Sequence, residues 1–157
     1  PCGNYGSKTA ECRCTASQIA KYKSKISGPL LDRIDLQIEV DGVKYDDLVS
    51  HAEEESSSEV RKRVNRTRMI QRERFLQDGI RTNSEMTEKH LAKYCALSSE
   101  SEKIMRISFE KLKLSARGRS RVLKVARTIA DLDGEKNIGA RHIAEAVQLR
   151  SLDRKYW

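Results

Sequence analysis

Apolar and polar positions change rhythm near residue 55 of this 157-residue chain. Residues 1–14 mix Gly, Cys and charge without period and read as loop. Thr15, with Gln18 three positions on, has the pattern of a capping box and predicts a helix to about Ile26, stopped at Ser27-Gly28-Pro29. Ile34, Leu36, Ile38 and Val40 then alternate with Asp35, Gln37 and Glu39, the period of a half-buried strand, ended by Asp41-Gly42. A turn or short helix is expected around 46–49, followed by the acidic, serine-rich linker Glu53-Glu54-Glu55-Ser56-Ser57-Ser58. From there on the spacing is helical. Val60, Val64, Gln71 and Phe75 mark one face of a long helix, and a shorter helix covers roughly 87–95. Ser98 or Ser99 opens the next, carrying Ile104, Ile107 and Leu112. Ser115 caps another with Val122, Val125, Ala126 and Ile129 inward and Asp133-Gly134 at its end. Ile138-Gly139 leads to a last helix with Ile143, Ala146 and Val147, and no internal repeat is visible.

The pattern predicts a mainly α fold: a helical bundle over 56–157, preceded by residues 1–55 with one helix and one strand. A single strand cannot satisfy its own backbone groups. Strand 34–40 is therefore expected to belong to a sheet whose other strands lie upstream, and Pro1-Cys2-Gly3 reads as an internal position of a longer protein. The bundle has residues enough for its own core, whereas 1–55 should be loosely held in this chain. Aromatics are only 5% of the sequence against 38% hydrophobic residues, which favours helices packed through Leu, Ile, Val and Ala over a large β core. No apolar run approaches the roughly 18 residues of a membrane span. With no signal peptide in view, a reducing cytoplasm and no membrane partner are expected.

Charge sharpens the division. Residues 1–55 hold 7 Lys and Arg against 10 Asp and Glu, a net of −3, while 56–157 hold 24 against 13, a net of +11. The second unit can therefore meet an anion: nucleotide phosphate, nucleic acid or an acidic partner.

Four groups of residues carry candidate chemistry. Arg33 stands at the mouth of the predicted strand after a rigid Gly-Pro turn, where its fork of donors can meet phosphate or can pair with Asp32 or Asp35. Arg117 falls in the first turn behind the Ser115 cap, where free N–H groups and the helix dipole favour an anion. Arg117, Arg121 and Lys124 lie within roughly 60° on a helical wheel, about 120° from the apolar stripe, as a basic strip. Arg61, Lys62, Arg63, Arg66, Arg68, Arg72 and Arg74 make half of a fourteen-residue stretch basic, with Glu73 its only acid. That stretch can follow a phosphate backbone without reading bases, or face a protein neighbour. Cys2, Cys12 and Cys14 supply three thiolates to a possible zinc site, although C-x-C is tighter than the usual spacing, while Cys95 reads as a buried free thiol. His51, His90 and His142 are scattered without ligand spacing, and no nucleophile arrangement or carboxylate pair stands out.

Leu30-Leu31-Asp32-Arg33-Ile34-Asp35-Leu36 resembles the arginine-finger segment and following strand of AAA+ proteins related to magnesium chelatases and the MCM helicases. Pro1-Cys2-Gly3, Glu11-Cys12-Arg13-Cys14-Thr15 and Ile26-Ser27-Gly28-Pro29 are similar to the YifB/ComM group. So are Leu114-Ser115-Ala116-Arg117-Gly118, the run from Arg121 to Leu132, and Leu149-Arg150-Ser151-Leu152-Asp153-Arg154. The resemblance implies the end of an α/β AAA+ core followed by a helical lid. It implies Arg33 as a finger acting in trans on a neighbour's γ-phosphate and Arg117 as the sensor-2 arginine acting in its own subunit. The phosphate-binding loop, the Mg²⁺ site and sensor 1 would lie upstream, together with one further cysteine that would make the zinc ligands four. The parent would use ATP and Mg²⁺, assemble with its own subunits into a hexamer, and remodel DNA, as in branch migration during uptake of transforming DNA. Two rivals remain: a motor subunit of a magnesium chelatase acting on porphyrin, and a stand-alone basic DNA-binding helical domain. This chain alone is not expected to turn over ATP.

Overall fold

A computed structural model describes residues 1–7, 10–38, 40, 42, 43, 45, 49 and 54–150. The short element expected around 46–49 lies almost wholly outside these residues, as does His51. Seven α-helices are found among the described residues: α1 (Ala16–Lys23), α2 (Gly28–Arg33), α3 (Ser57–Arg74), α4 (Glu88–Tyr94), α5 (Ser99–Lys111), α6 (Ala116–Leu132) and α7 (Ala140–Gln148). None is long and apolar enough to cross a membrane.

The helix starts follow from local chemistry. Thr15 Oγ1 accepts from the Gln18 N–H while the Gln18 side chain accepts from the Thr15 N–H, closing the expected capping box. Ser56 and Glu59 do the same for α3. Ser98 caps α5 and Ser115 caps α6, each accepting from the N–H three residues on. Two histidines serve the same end: Nδ1 of His90 accepts from the Thr87 N–H, and Nδ1 of His142 from the Gly139 N–H. The exits are equally local. Gly134 takes φ +74° after α6, and the Glu135 N–H closes back onto Ala130 O at 2.8 Å. Lys113 occupies the matching position after α5 at φ 45°, where a side chain is strained.

The core is built from α4–α7 with the end of α3: Phe75, Leu91, Met105, Val122, Leu123, Ala126, Ala130, Ile143 and Ala146 are buried together. Cys95 is buried among them, and burial pushes its thiol up to about 11. The expected inward face of α5 is shifted, since Ser101 and Met105 are buried while Ile107 is exposed. Along α3, Thr67, Gln71 and Phe75 are buried but Val60 and Val64 are exposed, so the first half of this helix projects from the bundle.

Two expectations upstream are corrected. α1 stops at Lys23 with Ser24 as its C-cap, short of Ile26, and Gly28-Pro29, expected as its terminator, instead opens α2, because Pro in a first helical turn gives up an N–H that has no intrahelical partner there. No strand forms at 34–40 among the described residues. Ile34 (40% exposed), Leu36 (50%), Ile38 (65%) and Val40 (84%) stay open, and Gln37 (7%) is buried instead. An alternating segment needs a neighbouring strand to bury its face, and this chain offers none among the described residues. The segment is nevertheless not a detached tail: the Gln37 N–H donates to Leu149 O at 2.6 Å, tying it to the end of α7.

Candidate functional site

Arg33 is the last residue of α2 and is exposed. It makes no hydrogen bond or ion pair among the described residues, because both nearby carboxylates are engaged elsewhere. Asp32 accepts from Ser115 Oγ at 3.1 and 3.2 Å and lies 3.6 Å from Arg150. Asp35 is paired with Arg121. Arg150, almost fully buried, donates to Ile34 O at 2.9 Å. The local-pairing alternative for Arg33 is thereby removed, and its guanidinium is presented outward.

Arg117 is the second residue of α6 and is also exposed, without a hydrogen bond or ion pair among the described residues. With Arg119, Arg121 and Lys124 it lines an open cleft of about 630 Å³ that also includes Asp35 and Glu88. The basic strip expected on the wheel is present. Asp35 takes up one of its charges, and Lys124 donates to Ser84 O at 2.8 Å.

The long basic stretch is sorted by its helix. Arg61, Lys62, Arg66, Arg68 and Arg72 are exposed, and Arg63 is bound through both nitrogens to Glu55, at 2.5 and 3.0 Å. Arg74 is turned inward. It forms a fork onto Asp131, donates to Asn83 Oδ1 at 3.1 Å, and keeps only 14% of its side chain exposed. It stands three residues beyond buried Gln71, so helical period carries it to the core side. It is a structural residue and leaves the basic strip. Arg81, which periodicity did not single out, joins Arg68 and Arg72 around an open groove of about 560 Å³.

The Sγ atoms of Cys2, Cys12 and Cys14 all lie within 4.8 Å of one another, and those of Cys2 and Cys12 are 3.6 Å apart. Zn–S bonds of about 2.3 Å in a tetrahedron place sulfurs about 3.8 Å apart, so the trio fits one zinc ion with a fourth position left for another ligand. The Asn4 N–H on Cys2 Sγ (3.5 Å), then Cys14 and Cys12, lower the Cys2 thiol to about 6, which favours the thiolate a metal needs.

Residues 54–150 match the family described as magnesium chelatase, subunit ChlI C-terminal, and residues 1–48 match magnesium chelatase, subunit ChlI. The chain belongs to this family of AAA+ proteins. Among its relatives, the competence protein ComM of Haemophilus influenzae is 38% identical over 143 residues, 90% of this chain and 27% of that protein. The uncharacterized protein YifB of Salmonella typhimurium is 37% identical over 143 residues, covering 90% and 28%. The uncharacterized protein Rv2897c of Mycobacterium tuberculosis is 35% identical over 150 residues, covering 96% and 30%. The resemblance to the YifB/ComM group holds, and the chain spans between a quarter and a third of the length of these relatives.

Proposed function

We propose that this chain is the lid-bearing part of a ring-forming AAA+ ATPase in which Arg33 reaches the γ-phosphate held by a neighbouring subunit and Arg117 touches nucleotide from the lid. One observation carries the reading: Arg33 is exposed and its side chain has no ion pair among the described residues, while the carboxylates on either side of it, Asp32 and Asp35, are bound to Ser115 and Arg121. A guanidinium held outward in this way is available to charge that develops on a transferring phosphoryl group. Mg²⁺ and the phosphate-binding loop would come from residues outside this chain. DNA is the substrate class we favour. One relative is a competence protein, and the exposed arginines of α3 with Arg81 supply sequence-independent phosphate contacts. Zinc at the cysteine trio would supply a structural cross-link, with Cys2, Cys12 and Cys14 as its ligands.

In the full-length protein, Arg33→Ala should leave ATP binding near normal and lower turnover by about 10³-fold or more. Mixing it with a variant defective in its own phosphate-binding loop should restore part of the activity, since a finger works across the interface. Mixed rings carrying Arg117→Ala read in the same way: failure to complement places Arg117 on its own subunit's nucleotide. Normal turnover by Arg33→Ala refutes the assignment.

A further inference from the structure

The helix that carries Arg33 is six residues long and buries none of them, so packing cannot fix its direction. Polar tethers do so instead, and they are placed immediately around Arg33. On one side Asp32 meets Ser115, the N-cap of α6, at 3.1 and 3.2 Å. On the other side Asp35 pairs with Arg121, about one and two-thirds turns further along the same helix. Between them Ile34 O receives a hydrogen bond from Arg150 at 2.9 Å, and the Gln37 N–H is held by Leu149 O at 2.6 Å. Arg150 is almost fully buried, and a buried guanidinium is unfavourable unless its donors are used. One of those donors goes to the carbonyl of the residue next to Arg33. Ser115, as N-cap, and Arg121 bracket Arg117 along α6.

We propose that Asp32, Asp35 and Arg150 are positioning residues for Arg33, a latch that joins α2 to the start of α6 and the end of α7. Arg33 and the arginine row beginning at Arg117 then move as one body. A change at Arg117 on nucleotide binding is passed to Arg33 through Ser115 and Arg121 rather than through the backbone, which links the two by more than eighty residues. The inference rests on the reading of Arg33 as a cation delivered to nucleotide.

The test uses the full-length protein with Asp35→Asn, Arg121→Gln and the charge swap Asp35→Arg with Arg121→Asp. The pair is partly exposed, so its loss should leave thermal stability nearly unchanged. A displaced catalytic cation should instead lower kcat by about 10- to 100-fold, with KM for ATP altered by no more than about 2-fold. The swap should recover most of the loss. Hydrogen exchange on this chain gives a second measurement. Asp35→Asn or Arg150→Met should speed exchange of the Gln37 amide about 10-fold or more while core amides such as Ala126 and Ala130 stay protected. Normal kcat in both single variants, or a swap no better than either, would overturn the latch if Arg33→Ala is inactive. Unchanged exchange at Gln37 in Asp35→Asn would also overturn it. Normal turnover in Arg33→Ala would instead remove the reading beneath it.

Discussion

Replacing Asp131 with Ala should unfold much of the helical bundle's stability margin. The Asp131 side chain is fully buried and accepts from Arg74 through both terminal nitrogens, from Arg127 Nε at 3.0 Å, from Asn83 Nδ2 at 2.8 Å and from Gln71 Nε2 at 3.5 Å. Its charge offsets two guanidiniums, those of Arg127 (side chain 2% exposed) and Arg74 (14%). Burial already pushes the Arg127 pKa down, and the Asp131 carboxylate opposes that push. Without it, two cations face one another in a largely buried site. Breaking a buried pair by removing one partner costs about 3–5 kcal/mol. The helix end is exposed to the same loss, because Arg127 also donates to Glu135 O and Lys136 O, the carbonyls just after the Gly134 turn. Domains of this size hold about 5–15 kcal/mol in all, and each kcal/mol moves the melting midpoint by about 4–8 °C. Far-UV circular dichroism should therefore find Asp131→Ala melting at least about 12 °C below the parent, or already unfolded. Glu55→Ala breaks an ion pair that is open to solvent and should leave the melting midpoint nearly unchanged. A midpoint within about 4 °C of the parent for Asp131→Ala would refute the view that this network closes the core.

Two further outcomes follow from the site. Cys2, lowered to about 6 mainly by the Asn4 N–H and then by Cys14 and Cys12, should be alkylated by iodoacetamide with a midpoint near pH 6, so it is largely thiolate at pH 7 and loses reactivity as pH falls below that midpoint. Cys95, raised to about 11 by burial, should react only on unfolding, and added Zn²⁺ should protect Cys2, Cys12 and Cys14 together. A Cys2 midpoint at an ordinary thiol's value of about 8.5 would contradict the geometry of the cluster. On duplex DNA, charge reversal at Arg68, Arg72 and Arg81 should reduce the salt dependence of binding by a slope of about 3, without sequence preference. If the parent chain itself shows no DNA binding at low salt, the strip is a protein-facing surface.

The bundle was legible in the sequence where local chemistry decides. Ser98 and Ser115 announce helix starts, and Asp133-Gly134 an end, because a cap needs only neighbours three or four residues away, whereas Ser56, read with the linker, is the N-cap of α3. Strand 34–40 misled because alternation states which residues share a face, not whether another strand is present to cover it. Arg74 was readable but was counted by charge rather than by facing: Thr67, Gln71 and Arg74 follow the helical period, and the first two are buried. Charge density marks a surface only after period has removed the positions that turn inward. Arg33 is the opposite case. Spacing alone allows it to pair with Asp32 or Asp35, and nothing within several residues decides otherwise. Those carboxylates are taken by Ser115, 83 residues from Asp32, and by Arg121, 86 residues from Asp35. Whether an arginine is free to meet a phosphate thus depends on competition for the acids beside it, and here that competition is won by a helix from the other end of the chain.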